Sequence, residues 1–294
     1  MLGKLSQQLT PNQKRALKAK YAQFRKAMID RFRAYDYDDF AAALTGLGVR
    51  PGDVLMVHST YSNFNGFKGT PQDIVKALRA AVGPEGTLLM LSMPYNGSTK
   101  AYLDQGKPFD VKKTFSRMGL LTEIFRRQKD VVRSLSPTHP FLATGPLADW
   151  FIAGHENCLH ACGPGSPFEK LVERNAKMLL FDVAFGYLTF YHYLEHLVKD
   201  DLPMPLYDEH VYEVPVIDAD GDRLTAKAVP YALEIIPHRR TGILEQELAR
   251  RGQLPRCRVG NTHLTLVGAA DALAATREMA AEGKYFYEFG GAGR

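Results

Sequence analysis

His192 and Glu195 could form an acid–base pair. They stand three residues apart in an aromatic stretch, Tyr187–His196, and residues at that spacing share one face of a helix. An imidazole that titrates near neutral pH can take a proton from an amine or from water, and a carboxylate one turn away can orient it. Such pairs are also frequent on solvated helix surfaces, so the pair alone leaves its function open.

Three apolar runs predict the strands that would position this pair. The run 177–183 comes just before it, and the runs 54–58 and 87–91 flank a helix that begins after Thr70. A strand, a helix and a second strand in this order predict a right-handed crossover in a parallel sheet. Ligands bind beyond the carboxyl ends of such strands, so the loops 59–66 and 92–96 should lie together.

The remaining patterns predict a single α/β domain, with a central mixed, largely parallel sheet flanked by helices. Residues 211–217 and 224–229 flank an Asp-rich turn and read as a late antiparallel hairpin. Residues 11–33 form a helical extension with an apolar stripe, Leu17, Tyr21, Phe24 and Met28, which we expect to be docked. We assign residues 1–35 to this N-terminal extension and 36–294 to the catalytic domain.

Composition favours a globular protein of the cytoplasm. The chain is 45% hydrophobic and 23% charged, and no apolar stretch approaches the ~20 residues that a membrane span needs. The net charge of +5 is concentrated early, and a basic helix can bind nucleic acid or an acidic membrane. The apolar stripe favours a docked helix instead, so we expect neither nucleic acid nor membrane as a partner.

Metal binding is not expected. The three cysteines, Cys158, Cys162 and Cys257, are odd in number and read as free thiols. The segment from Cys158 to Cys162 contains His160 but lacks the paired spacing and fourth ligand of a zinc site. The turn 218–222 is too short for a calcium loop and lacks its distal glutamate.

The polar loop 59–66 follows a predicted strand and could receive a phosphate or an amide-bearing ligand; otherwise it is a plain polar turn. It matches neither a nucleotide P-loop nor a dinucleotide fingerprint. Arg133 could bind a phosphate or form a surface ion pair. A hydrolase with Ser59 or Ser134 as its nucleophile is an alternative, although no G-x-S-x-G elbow is present.

Taken together, four ordered stretches resemble the aminoglycoside 3-N-acetyltransferase family. The family carries V-H-S-S-L, G-T-L-x-M-P, R-S-x-H-P-T-H and T-x-x-H-x-x-E in this order. The corresponding stretches are Val57–Ser62, Gly86–Met90 with Pro94, Arg133–His139, and Thr189–Glu195. The turn 116–119 also fits, and the resemblance spans about residues 36 to 282.

The resemblance implies transfer of an acetyl group from acetyl-CoA to a small-molecule amine, by a monomer or homodimer that uses no metal. It makes His192 the general base and Glu195 its orienting carboxylate, with His139 in the same cleft. It implies acceptor contacts from Tyr95, Asp182 and Thr189. It implies acetyl-CoA contacts from His58, Ser59, Thr60, Tyr61, Ser62, Ser116, Met118, Gly119, Arg133 and Ser134.

Departures from the family pattern leave the acceptor open. Ser136 replaces a histidine, Thr60 and Tyr61 replace a serine and a leucine, and Asp182 replaces a glycine. A polycationic aminoglycoside should meet several carboxylates. The candidates are Asp182, Glu195, Asp200, Asp201, Asp208 and Glu209. The acceptor could instead be a metabolite or a polysaccharide amino sugar, and a CoA-binding protein with altered catalysis is a further alternative.

Overall fold

A computed structural model describes residues 10–289. Residues 1–9 of the predicted extension, and residues 290–294, lie outside the described part. A seven-stranded sheet forms the centre, in the order β4-β5-β2-β1-β6-β10-β9. Its strands are β1 (Val54–Ser59), β2 (Thr87–Leu91), β4 (Val132–Arg133), β5 (Phe141–Thr144), β6 (Lys177–Phe181), β9 (Arg256–Val259) and β10 (Thr262–Gly268).

The predicted mixed, largely parallel sheet is confirmed. Strand β1 pairs in parallel with β2 on one side and β6 on the other. Strands β5 and β10 run antiparallel to their neighbours on both sides. The other five strands therefore share one direction, and the carboxyl ends of β1, β2 and β6 meet at one edge.

A second, three-stranded sheet contains β3 (Phe109–Asp110), β7 (Tyr212–Ile217) and β8 (Arg223–Ala228). Strands β7 and β8 form the predicted late hairpin. Strand β3 was not predicted: it lies in the long polar connection after β2 and pairs in parallel with β7. Strand β5 was not predicted either.

The helices cover both faces of the central sheet. They are α1 (Pro11–Phe32), α2 (Tyr37–Leu47), α3 (Pro71–Val82), α4 (Thr99–Leu103), α5 (Leu120–Arg126), α6 (Ala148–Ile152), α7 (Pro167–Glu173), α8 (Tyr191–Leu197), α9 (Gly242–Arg250) and α10 (Ala269–Ala281). Side chains alternate across a strand, so Met56 joins the core beneath α7, α8 and α10. Its neighbours Leu55 and Val57 join the core beneath α2 and α3.

Helix boundaries follow the local signals in the sequence. Thr70 caps α3 by accepting a hydrogen bond from the amide of Asp73, with Pro71 at the first helical position. Gly48 ends α2 in the left-handed conformation, which glycine adopts without the steric cost that other residues pay. Among residues 10–289 no helix combines the length and apolar composition of a membrane span.

The N-terminal helix α1 is present, but the prediction that its apolar stripe is docked is wrong. Ile29 is the one residue that the helix buries. The stripe residues Leu17, Tyr21, Phe24 and Met28 are between 44% and 66% exposed. Toward its end the helix contacts the rest of the chain: the Arg25 guanidinium lies 4.8 Å from the Phe64 ring centroid, and Asp30 pairs with Lys68 at 3.6 Å.

Candidate active site

A cleft of about 550 Å³ opens at the carboxyl edge of the sheet, beyond β1 and β2. The loops after these strands contribute to its walls, as the crossover predicted. The turn before α5 and the segment before α8 complete it. A larger, shallower cavity of about 860 Å³ lies at the start of β2, near Gly86 and Arg79. The chemistry predicted from the sequence belongs to the first cleft, because His192 lies in its wall.

His192 and Glu195 share one face of α8, and the two side chains are hydrogen-bonded. The distance from His192 Nδ1 to Glu195 Oε2 is 2.7 Å. The side chain of His192 is 22% exposed, whereas that of Glu195 is fully buried. The imidazole therefore faces the cleft and the carboxylate lies behind it.

Three further donors converge on the carboxylate of Glu195. Arg239 donates through Nε to Oε1 at 2.5 Å and through Nη2 to Oε2 at 3.0 Å. The hydroxyl of Tyr287 also donates to Oε1. Burial by itself raises the pKa of Glu195, but the bond to His192 and the charges of His192 and Arg239 outweigh it and lower the pKa. The carboxylate is therefore ionised and fixed in place.

This arrangement selects one tautomer of His192. An ionised carboxylate can only accept hydrogen bonds, so Nδ1 carries the proton that is donated to Glu195. The other ring nitrogen, Nε2, has no hydrogen-bond partner within residues 10–289. The basic lone pair of His192 is thus available to a molecule in the cleft.

His139 lies close to His192 but behind the wall of the cleft. Their ring centroids are 6.2 Å apart. His139 Nδ1 is 3.1 Å from the hydroxyl of Thr138. Burial, followed by the nearby charges of His192 and His155, lowers the pKa of His139 well below its ordinary value. His139 is therefore neutral and lies beside His192 without lining the cleft.

The end of β1 supplies one wall of the cleft through His58, Ser59, Thr60 and Tyr61. His58 is buried, and its Nε2 has no hydrogen-bond partner among residues 10–289. Burial lowers the pKa of His58 to about 4. A neutral imidazole thus lies in the wall of the cleft.

The turn before α5 supplies the opposite wall through Met118 and Gly119. Ser116 shapes this turn without lining the cleft: its hydroxyl accepts from the amide of Met118 at 3.2 Å, and its own amide donates to Glu123 at 3.1 Å. The first amides of a helix lack intrahelical acceptors, and those of α5 begin beside the cleft. Such amides can hold a phosphate or a carbonyl oxygen.

Arg133 is buried and lies outside the cleft lining. Its guanidinium donates to the carbonyl oxygens of Ser92 and Thr114, at 2.6 Å each, and packs 4.7 Å from the Phe109 ring centroid. Burial lowers the pKa of Arg133 to about 9. Arg133 therefore links the long connection that follows β2 to the edge of the sheet. Within the described residues it forms no surface ion pair.

The hydroxyl of Ser134 is also occupied inside the protein. It accepts from the amide of Phe141 at 2.8 Å and is 2.9 Å from His155 Nδ1. Among the described residues neither Ser59 nor Ser134 is hydrogen-bonded to His192. The hydrolase alternative therefore lacks the contact between nucleophile and base that it requires.

The predicted acceptor residues separate into two groups. Tyr95 and Thr189 line the cleft, whereas Asp182 and the acetyl-CoA candidate Ser62 do not. Asp182 has a φ of 56°, in the left-handed region. This conformation is natural for the glycine of the family pattern. The amide of Asp182 donates to the carbonyl of His263 at 2.8 Å, and its side chain points toward the amide of His263.

Sequence reasoning missed Arg239 and Tyr287, which hold Glu195. Arg117, which lines the cleft, lies in the turn 116–119 that fits the family pattern. Arg239 and Tyr287 lie 44 and 92 residues after Glu195, so no local spacing links them to it. The three cysteines are free. No cluster of three or more histidine, cysteine, aspartate or glutamate side chains suited to a metal occurs within residues 10–289.

A family model described as aminoglycoside 3-N-acetyltransferase matches residues 56–281. The aminoglycoside N(3)-acetyltransferase III of Serratia marcescens is 34% identical over 196 residues, which cover 63% of this chain and 71% of the relative. A protein of the same name from Salmonella sp is 34% identical over 192 residues, covering 61% and 65%. These matches span about two thirds of the relatives' length.

Solved structures agree with the fold. The binary complex of AAC-IIIb with CoASH has a TM-score of 0.70 at 26% identity, and the match covers 87% of this chain and 99% of that one. The aminoglycoside acetyltransferase AAC(3)-Xa has a TM-score of 0.73 at 24% identity, with 88% and 98% covered. At this level of identity AAC(3)-Xa shows the fold alone.

Proposed function

The chain belongs to the aminoglycoside 3-N-acetyltransferase family, and we propose that it transfers an acetyl group from acetyl-CoA to a primary amine of an aminoglycoside or amino-sugar-like molecule. The observation that carries this proposal is the His192–Glu195 pair, which presents a free imidazole nitrogen to a cleft at the carboxyl edge of the sheet. An acyl transfer to an amine needs a base at this place.

In the proposed reaction His192 Nε2 takes a proton from the acceptor amine as the amine nitrogen attacks the thioester carbonyl carbon. The new C–N bond forms, the C–S bond breaks, and CoA leaves as a thiolate that takes up a proton. Glu195 stabilises the imidazolium that forms at His192. Arg239 and Tyr287 keep Glu195 in position, so the base needs no reorganisation during the reaction.

We place the pantetheine arm and phosphates of acetyl-CoA between the end of β1 and the turn before α5. Ser59, Thr60 and Tyr61 line one side, while Met118 and Gly119 line the other. Ser62, Ser116, Arg133 and Ser134 would act indirectly, because they support these walls from behind.

The structure of AAC-IIIb that contains CoASH supports acetyl-CoA as the co-substrate, since that protein shares this fold at 26% identity. The acceptor contacts that we propose are Tyr95 and Thr189, both in the wall of the cleft. The cytoplasmic location and the choice between monomer and homodimer stay predictions from the sequence.

A thiol-release assay tests this function. The purified protein is mixed with acetyl-CoA and a panel of aminoglycosides and amino sugars, and release of CoA is followed with a thiol reagent. We expect release that requires both the protein and an amine. Binding of acetyl-CoA without release for any amine would favour the CoA-binding alternative. Equal release without an amine would favour a hydrolase.

A further inference from the structure

We propose that Tyr231 is a positioning residue for His192: its ring stacks on the imidazole, fixes the plane of that ring and stabilises the positive charge that forms on it. This inference rests on the acetyl transfer proposed above and adds a residue to it. None of the four stretches that resemble the family contains Tyr231.

The ring of Tyr231 lies against the ring of His192. The two ring centroids are 4.6 Å apart, and the ring planes are inclined by 33°. This distance is typical of offset-stacked aromatic pairs. His192 lines the cleft, whereas Tyr231 is not among the lining residues. Tyr231 can therefore influence the substrates only through His192.

The hydrogen bond to Glu195 does not by itself fix the plane of the imidazole. The bond holds one atom of His192, Nδ1, at 2.7 Å from the carboxylate. The terminal torsion of a histidine side chain has broad energy wells, so the ring could still turn about that contact. The stacked ring of Tyr231 restricts this rotation. Nε2 of His192 therefore keeps one direction relative to the cleft.

The face of an aromatic ring also attracts a cation, and the attraction is stronger where water is excluded. The imidazole of His192 gains a positive charge when it takes the proton of the acceptor amine. The half-buried ring of Tyr231 therefore stabilises His192 more after the proton transfer than before it. An interaction that strengthens in this way lowers the barrier of the reaction.

Tyr231 cannot replace His192 as the base. Burial, the largest cause, raises the pKa of Tyr231 well above its ordinary value. Its hydroxyl group therefore stays protonated, and a protonated hydroxyl of this kind is a poor proton acceptor. The contribution of Tyr231 is accordingly that of a neutral ring.

Arg239 contacts both groups that support His192. Its guanidinium carbon lies 5.5 Å from the centroid of the Tyr231 ring, and its nitrogens donate to both oxygens of Glu195. The charge of Arg239 compensates part of the negative charge of Glu195. A second group that stabilises the imidazolium therefore has a larger share in the reaction.

A second tyrosine holds Tyr231 in place. The ring centroid of Tyr207 lies 5.1 Å from that of Tyr231, and the two backbones form an isolated antiparallel bridge. The hydroxyl of Tyr207 is 2.8 Å from Nδ1 of His196, which lies one turn after His192 on α8. The two tyrosines are thus joined to α8 at two points, so Tyr231 keeps its position relative to His192.

Two substitutions test the proposal through thiol release, with the panel acceptor that gives the highest kcat/KM. Tyr231→Phe keeps the ring, and kcat should stay within about twofold of the wild type, whereas Tyr231→Leu removes the ring and should lower kcat about tenfold. KM for acetyl-CoA should change less than about twofold in both variants, because Tyr231 does not line the cleft. Equal kcat values for the two variants would overturn the proposal.

Tyr35→Leu is the matched control for a loss of packing. Tyr35 is also a buried tyrosine in contact with another aromatic ring, at 5.3 Å from the Phe67 centroid, and it does not line the cleft. This variant should lower the free energy of unfolding but leave kcat per folded molecule unchanged. If it lowers kcat as much as Tyr231→Leu does, lost packing explains both effects and the proposal is wrong.

The pH dependence of kcat provides a readout that packing alone would not change. The base acts in its unprotonated form, so kcat rises with pH on the acid side of the profile. Without the ring of Tyr231 the imidazolium of His192 is less stable and loses its proton at lower pH. The acid side of the profile should therefore move to lower pH by about half a unit in Tyr231→Leu.

Tyr231→Phe should keep the wild-type profile. The titratable and charged groups near His192, which are Glu195, Arg239 and His139, are the same in all three proteins. A profile that stays in place or moves to higher pH in Tyr231→Leu would contradict the proposal.

A fluorinated series decides the question even if Tyr231→Leu does not fold. The phenylalanine of Tyr231→Phe is replaced by its mono-, di- and trifluorinated forms, which keep the shape of the ring but withdraw negative charge from its face. We expect kcat to fall with each added fluorine, to about one tenth with the third. The same kcat across the series would overturn the proposal, whatever Tyr231→Leu shows.

These outcomes are distinct from a failure of the proposed function. If the wild-type protein releases no thiol with any acceptor of the panel, acetyl transfer itself is wrong. If the wild type is active and His192→Ala is equally active, the assignment of the base is wrong. If His192→Ala loses activity but neither Tyr231→Leu nor the fluorinated series does, only the inference about Tyr231 is wrong.

Discussion

Helices α8 and α1 both carry apolar side chains along one face, yet α8 buries them and α1 exposes them. Helix α8 has seven residues and buries Tyr191, Tyr193 and Glu195 among others. Helix α1 has 22 residues and buries Ile29 alone. Isolated helices of seven residues are not stable in water, so α8 depends on the packing around it. The apolar stripe of α1 is exposed to solvent.

The difference shows what a helical pattern can and cannot predict. The spacing of apolar residues indicates that a helix has an apolar face, but it does not indicate what covers that face. For α8 a further signal was available, because three other motifs placed a cleft beside it. For α1 no such signal existed, and the expectation of a docked helix was wrong.

The largest expected effect concerns His192 on α8, the proposed general base. We expect His192→Ala to lower kcat by about 10²- to 10⁴-fold, the usual contribution of a positioned general base, with acetyl-CoA binding retained. Thiol release measures the rate, and isothermal titration measures binding. His263→Ala is the control, since His263 is exposed on β10. An unchanged kcat in His192→Ala would show that another group takes the proton.

The sequence predicted which of these side chains lie together, because they are close in the chain or lie at strand ends. The order of β1, α3 and β2 placed His58 and Tyr95 at one edge, and α8 placed His192 beside Glu195. Arg133 was misleading because a buried arginine that holds carbonyl oxygens and an arginine that binds phosphate look alike in sequence. Whether a polar side chain forms its hydrogen bonds inside the protein or with a ligand depends on the packing of distant segments.

The next effect concerns Arg239, which holds Glu195 behind His192. Arg239→Gln would leave the buried carboxylate of Glu195 without its cationic partner, and we expect a loss of about 3–5 kcal/mol in the free energy of unfolding. Denaturant unfolding measures this. The neighbouring Arg240 pairs with Glu288 at an exposed site, so Arg240→Gln should cost less than about 1 kcal/mol. Equal losses would show that the Glu195 cluster contributes no more than a surface pair.

The buried histidines near the cleft should make the folded protein less stable at acidic pH. Helix α1 contains no histidine and cannot cause this effect. Burial, the largest cause, lowers the pKa of His155 to about 4, whereas the unfolded chain protonates it near pH 6.5. Protons therefore favour the unfolded chain in this interval, and stability that is fully present above pH 6.5 is lost as the pH falls toward 4. Between pH 7 and pH 5 we expect His155 to account for a loss of about 2 kcal/mol.

Denaturant unfolding at several pH values checks this prediction. His155→Gln should lower the overall stability, because it disturbs the bonds to Ser134 and Ala161, but its stability should fall less steeply with pH than that of the wild type. His263→Gln serves as the exposed control and should keep the wild-type slope. A variant at His155 with an unchanged slope would show that other groups cause the acid sensitivity.

The smallest effect is expected on α1, and it tests the comparison directly. Leu17→Ser should change the free energy of unfolding by less than about 0.5 kcal/mol, because Leu17 is exposed. Ile29→Ala should cost about 2 kcal/mol or more, since Ile29 is buried. If the two variants lose the same free energy of unfolding in a dilute sample, α1 is docked along its whole length. A cost for Leu17→Ser that grows with protein concentration would mean that a second copy covers the stripe, because only association makes stability depend on concentration.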